Sequence, residues 1–178
     1  MILTGKEICR EVLRKRIVIE PFSIDCVNPN SYNYHLGDVI KPAPFRIIDK
    51  HEVQSWEKVR LAKNSRYLLE PGRLYLGNTQ EIIGSKHYVT SLIGKSSMGR
   101  LGLYLQISAD LGHQGAIHKW TLELCVVQPV YIYPGMIIGQ VSFWKTVGRI
   151  RPYQGQYGLV NNPLENQDSL VQTRRNEL

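Results

Sequence analysis

Cysteine is scarce in this chain. Cys9, Cys26 and Cys125 are widely spaced and odd in number, and none belongs to a Cys-x-x-Cys pair. A disulfide framework is thereby excluded, and the thiols read as small core residues of a protein from a reducing compartment. Long apolar runs are missing too; none approaches the roughly 20 residues that span a bilayer. The opening Met1-Ile2-Leu3-Thr4-Gly5-Lys6-Glu7 turns polar and acidic too early for a secretory leader. The expectation is a soluble, cytoplasmic protein with no membrane partner.

Blocked charge is also lacking. The formal net charge is +7, yet Lys and Arg are scattered, with the densest clusters at Arg10 to Arg16 and Arg174-Arg175. No basic stripe interleaved with aromatics marks a nucleic-acid track, so none is expected. A solvated surface plus one phosphate pocket accounts for the balance. At 178 residues, 43% hydrophobic and 21% charged, the chain is long enough for one domain with a real core.

The start reads as a helix. Thr4 is a candidate N-cap with Glu7 at capping-box spacing, Ile8, Val12 and Leu13 fall near one face, and Arg14 to Arg16 suit the C-terminal end of the helix dipole. β signals dominate afterwards. Short runs at 17–20, 66–69, 74–76, 88–92, 103–107, 121–127, 130–133 and 137–143 are separated by Gly, Pro and Asn turns. This pattern predicts an all-β sandwich or barrel with one or two appended helices. Glu70-Pro71-Gly72 and Tyr133-Pro134-Gly135 each precede an apolar strand and read as equivalent type II corners of a double-sheet roll. The expected division is a β domain over 1–148 and a C-terminal extension or lid over 149–178.

Metal and nucleophile motifs are absent. His35, His51, His87, His113 and His118 form no His-x-x-x-His pair, and no cysteine pair accompanies them, so a zinc deaminase set is not expected. His113 and His118 read as loop residues. Neither a P-loop nor a Gly-x-Ser-x-Gly elbow occurs.

The most informative stretch is Gly94-Lys95-Ser96-Ser97-Met98-Gly99-Arg100-Leu101-Gly102-Leu103. Glycines allow close backbone approach, serines add hydroxyl donors, and Lys95 and Arg100 add charge suited to phosphate. A basic turn without ligand would look the same. Further on, Glu123 interrupts the apolar run Trp120 to Val127. Alternation puts it with Thr121 and Cys125, opposite Leu122, Leu124 and Val126. It is either an outward-facing strand glutamate or a carboxylate turned to a pocket, where it could shuttle a proton.

Together these segments resemble the dCTP deaminase branch of the dUTPase superfamily. The resemblance rests on Gly94–Gly102, Thr121-Leu122-Glu123-Leu124 and Pro134-Gly135-Met136-Ile137-Ile138-Gly139-Gln140. Met1-Ile2-Leu3, Ile17–Phe22, Pro29-Asn30-Ser31-Tyr32 with Leu36-Gly37, and Tyr153-Gln154-Gly155-Gln156 extend it over most of residues 1–158. It implies a mainly β fold, a distorted β-barrel or double-sheet roll of the dUTPase-like type with a short N-terminal helix. It also implies a homotrimer with sites between subunits, a pyrimidine nucleotide substrate, magnesium with the triphosphate, and no zinc.

By the same match, Glu123 would be general base and acid in converting dCTP to dUTP and ammonia. Ser96 and the Ala109 backbone would position the water. Lys95, Ser97 and Arg100 would bind or polarise phosphates and base surroundings, Gln140 would support the site, and Tyr153 and Gln156 would close it from the tail. The chain departs from the pattern at several places. Lys95 stands where the family usually has Arg or Gly, Tyr32-Asn33 replaces Tyr-Asp, and Pro152 stands where a lysine is common, with Arg151 before it. The usual Asp-Pro-Gly beyond the alanine is replaced by Asp110-Leu111-Gly112, and Gly115–Trp120 is extended. Alternatives are a dUTPase or bifunctional enzyme releasing pyrophosphate, with Asp110 as candidate water activator, and a non-catalytic nucleotide-binding relative.

Overall fold

The computed structural model describes residues 1–49, 51–52, 55–106, 108–155 and 161–166. It opens with helix α1 (Gly5–Leu13), followed by β1 (Val18–Glu20), β2 (Tyr32–His35), β3 (Val39–Pro42), β4 (Val59–Arg60), β5 (Tyr67–Leu69) and β6 (Tyr75–Asn78). Then come β7 (Ile82–Gly84), β8 (Val89–Gly94), helix α2 (Ser96–Arg100), β9 (Leu103–Leu105), β10 (Leu111–Gly112) and β11 (Ile117–His118). The last strands are β12 (Thr121–Val126), β13 (Val130–Ile132) and β14 (Ile137–Trp144).

Strand pairing is antiparallel throughout. A five-stranded sheet runs β4-β3-β6-β12-β9 and a four-stranded one β10-β8-β14-β2, with smaller sheets β1-β7-β11 and β13-β5. Leu122 and Leu124 of the first sheet share one buried core with Leu92, Val141 and Phe143 of the second, and with Tyr32, Tyr34 and Tyr75. Wrapping short sheets around one core is the mainly β roll that the strand runs predict. β13 pairs with β5, and each is followed by its Pro-Gly corner. Gly72 at φ +78° and Gly135 at φ +77° occupy the left-handed region that the third position of a type II turn requires.

Helix α1 differs from its expected face. Thr4 caps it through Oγ1, which accepts from the Glu7 amide at 3.4 Å, but the Glu7 carboxylate takes a hydrogen bond from Arg10 instead of closing a capping box. Ile8 is buried, whereas Leu13 is exposed, and Glu11 is fully buried in its place. Glu11 survives there because it is saturated with donors. Arg16 Nε and Tyr88 OH each donate to Oε2 at 2.6 Å, and Arg14 donates to Oε1 at 3.2 Å. Burial raises the Glu11 pKa, but the hydrogen bonds from Tyr88, Arg16 and Arg14 outweigh it and hold the carboxyl below its usual range.

A depressed carboxyl stabilises the fold above its unfolded value near 4.5 and loses that contribution as pH falls through the folded value. Replacing Glu11 by Gln should therefore cost roughly 2 kcal/mol at neutral pH, by urea unfolding. The difference from the parent should shrink as pH is lowered beyond 4.5; a gap independent of pH would refute the assigned ion cluster.

Candidate active site

β12 places the candidate base. Its burial alternates as the sequence pattern requires, with Leu122, Leu124 and Val126 inward and Thr121, Glu123 and Cys125 half-buried on the other face. Register is held from both sides: Glu123 pairs with Leu76 of β6, and Leu124 with Leu105 of β9. The Glu123 side chain thereby lines a cavity of about 530 Å³ together with Gln106, Ala109, Thr121 and Tyr153. Among the described residues, no hydrogen bond or ion pair engages its carboxylate. Burial, and then the Glu123 charge, push the neighbouring Cys125 thiol up.

The segment after Ala109 forms much of the wall. Leu111, His113, Ala116, His118 and Trp120 all line the cavity, so the 111–120 stretch shapes much of it. Short strands β10 and β11 pin this segment to β8 and β7. Trp120 is fixed by its Nε1, which donates to the Ile83 carbonyl at 2.8 Å, and by its amide, which donates to Thr79 Oγ1 at 2.9 Å. Gly112 is required beside it, because a Cβ there would collide with the Trp120 ring and the Thr90 hydroxyl. The His118 ring lies tilted against Trp120, centroids 4.2 Å apart, and His113 stacks on Tyr153 at 5.3 Å. Flat aromatic walls of this kind suit a planar base.

A second groove, about 460 Å³, shares His113 and Tyr153 with the first and is lined by Arg149 and Arg151. Arg151, one residue before Pro152, thus lies beside Tyr153 and the cavity. Residues 164–166 of the segment 161–166 also line the cavity. Asn161 Oδ1 accepts from the Lys119 amide at 2.9 Å, and the Leu164 amide donates to Thr121 Oγ1 at 3.2 Å. Buried Glu165 accepts from Lys41 Nζ at 2.8 Å and from the Trp56 amide at 2.9 Å. Trp56 also lines the cavity, and its buried Nε1 has no hydrogen-bond partner among the described residues.

The remaining residues singled out in the sequence lie elsewhere in this chain. Ser96, Ser97 and Arg100 form one exposed turn of helix, α2, rather than a glycine-shaped loop, and none of them lines the cavity. The positive φ comes after it, at Gly102 (+79°). Lys95 Nζ donates to Asn33 Oδ1 at 3.4 Å, and Ser31 Oγ donates to Gln140 Oε1 at 2.8 Å. Asn28 joins these pairs by donating to both Asn33 and Ser31. Ser31 of the Pro29–Tyr32 motif, Lys95 and Gln140 therefore share one polar network, and none of them lines the Glu123 cavity. Asp110 is exposed and accepts from Ser91 Oγ at 2.8 Å. Gln156 and Ile107 lie outside the described residues. Sequence reasoning missed Trp56, Gln106 and Glu165, and set His113 and His118 aside as loop residues.

With this geometry in view, the comparisons with known proteins converge. A family model described as dCTP deaminase-like matches residues 2–146. The chain belongs to the dCTP deaminase-like family. It is 41% identical over 158 residues to a dUMP-forming dCTP deaminase of Hathewaya histolytica, covering 88% of this chain and 91% of that one. A dUMP-forming dCTP deaminase of Clostridium botulinum is 40% identical over 162 residues, covering 91% and 88%. A dCTP deaminase of Rhodopirellula baltica is 40% identical over 148 residues, covering 83% and 74%. The fold is similar to the crystal structure of 2'-deoxycytidine 5'-triphosphate deaminase from Agrobacterium tumefaciens, with a TM-score of 0.63 at 20% identity over 80% of this chain. The chain spans 47% of the length of that structure.

The tail contact makes a testable case. Burial raises the Glu165 pKa, but Lys41 and the amides of Glu165 and Trp56 lower it further, so the net shift is downward. The clamp should hold above about pH 4.5 and weaken as pH falls through the lowered value. Lys41→Met should raise amide exchange of residues 164–166 roughly severalfold at neutral pH. Equal exchange in parent and variant would show that Lys41 does not hold the segment.

Proposed function

We propose that the chain deaminates a cytosine deoxynucleotide, dCTP by family, with Glu123 moving the proton. One observation carries the reading: within the family frame, an unpaired carboxylate on β12 and the Ala109 backbone face the same aromatic-walled cavity. Water held near Ala109 attacks C4 of the base and loses a proton to Glu123, which passes it to N3. The remaining hydroxyl proton then travels through Glu123 to the departing nitrogen as the C4–N bond breaks and C4=O forms, giving the uracil nucleotide and ammonia. Stacking on His118, Trp120 and the His113–Tyr153 pair fixes the base, while the groove beside it offers Arg149 and Arg151 to phosphate oxygens.

The relatives named dUMP-forming direct the proposal away from dUTP as the released product. dCTP and two waters would give dUMP, ammonia and pyrophosphate. Asp110, the sequence candidate for activating the second water, accepts from Ser91 and does not itself line the cavity, although Ala109 and Leu111 on either side of it do. Among the described residues no cluster of three His, Cys, Asp or Glu side chains sits at metal-holding distances. In this reading magnesium would come with the nucleotide and would offset the charge on its phosphates.

The exposed position of Ser96, Ser97 and Arg100 favours a homotrimer in which α2 completes a neighbour's site. Ile93, Leu101, Tyr104 and Val127 are exposed apolar residues on or beside the segments that flank α2, as a subunit contact would need.

Incubation with cytosine and uracil nucleotides and Mg²⁺, with ammonia and pyrophosphate read separately, tests the whole scheme. The expected result is both products from dCTP. Glu123→Gln should lower ammonia release at least about 100-fold and leave nucleotide binding in place. Pyrophosphate from dUTP without any ammonia would identify a diphosphatase, binding without turnover a non-catalytic relative, and unchanged turnover in the variant would remove Glu123 from the mechanism.

A further inference from the structure

Gln106 stands where the β9–β12 ladder ends. The last paired residues are Leu105 and Leu124, so the next rung would join Gln106 to Glu123. Half of that rung forms normally, the Gln106 amide donating to the Glu123 carbonyl at 3.3 Å. The other half does not come from the main chain. Gln106 has φ +50°, a left-handed conformation uncommon outside glycine, asparagine and aspartate, and it turns the chain out of the strand. Its side chain takes over the missing bond: Oε1 accepts from the Glu123 amide at 2.8 Å. The same side-chain amide then donates through Nε2 to the Ala109 carbonyl at 3.2 Å.

We propose that Gln106 is a positioning residue that ties the Ala109 backbone and Glu123 to one amide, setting the separation between water and base. The inference rests on the deaminase reading of Glu123 and Ala109 given above. Gln106 is buried, lines the cavity and bridges the two groups that this reading assigns to the attacking water. A primary amide is the chemical requirement, since one end must accept from an N–H while the other donates to a carbonyl. Alanine would leave both partners unmet. Glutamate would keep the acceptor, lose the donor to Ala109 and place a second anion against Glu123.

The test measures kcat, KM and the pH dependence of kcat for Gln106→Ala, Gln106→Glu and Glu123→Gln, with ammonia as the readout. Gln106→Ala should lower kcat about tenfold or more with KM changed less than about threefold, the pattern of a lost transition-state alignment. In Gln106→Glu the acidic limb of the kcat profile should move to higher pH by about half a unit or more, because the added anion disfavours ionisation of Glu123. A merely structural residue would lower thermal stability without moving that limb. His113, His118, Glu165 and Tyr153 also face the cavity and are the same in every variant, so a displaced limb reports position 106.

If Gln106→Ala does not fold, the isosteric Gln106→Glu decides alone. A rise in KM with kcat unchanged, or kcat and limb both as in the parent, would overturn the assignment. Retained turnover in Glu123→Gln would instead overturn the reading beneath it, whatever position 106 does.

Discussion

The register of β12 between β6 and β9 is the constraint on which the rest depends. Strand side chains alternate, so a slip of one residue exchanges the two faces of the strand. With Glu123 opposite Leu76 and Leu124 opposite Leu105, three aliphatic residues enter the core and the carboxylate faces the cavity. A slipped strand would bury Glu123 without a partner, at a cost several times the value of one ladder bond. Core packing and site chemistry are therefore enforced by the same pairing, and stability of the sheet is what aims the carboxylate.

Around that strand the site divides into two sets of residues. One set belongs to the cavity of this chain: Ala109, residues of the 111–120 segment, Glu123, Tyr153 and residues 164–166. The other belongs to α2 and the polar network through Asn28, Ser31, Asn33, Lys95 and Gln140. The second set does not converge on Glu123 within the chain. Its members are hydrogen-bonded to one another or exposed to solvent, a state suited to a surface that presents charge and hydroxyls outward.

Much of this was legible in the sequence, for local reasons. The strand runs at 17–20, 66–69, 121–127, 130–133 and 137–143 matched strands because alternation and turn residues are encoded within a few positions. The two Pro-Gly corners were readable for the same cause, and so was the Glu123 face. Long-range effects were not. Glu11 occupies the buried face of α1 because Tyr88, far along the chain, supplies a donor, and no helical periodicity signals that. Strands β10 and β11 are two residues each and owe their existence to partners on β8 and β7. His113 and His118 gave no motif, and Gln106 gave none either. The faint signal for Gln106 was a polar residue at the end of an apolar strand run.

Two carboxylates line the cavity, Glu123 and Glu165, and their surroundings differ. Glu165 accepts from a lysine and a backbone amide, so its charge is neutralised and its geometry fixed. Protonating it would sacrifice those bonds, which is why its ionised form is favoured over ordinary carboxylates. It is suited to anchoring residues 164–166. Glu123 has its backbone held at both ends of the rung while its carboxylate is engaged by no described residue. The proposed proton transfer would call for that combination of a fixed origin and an uncommitted carboxylate. The division follows from position alone: Glu165 reaches the cavity from a segment that needs tethering, whereas Glu123 stands on a strand already held by its neighbours.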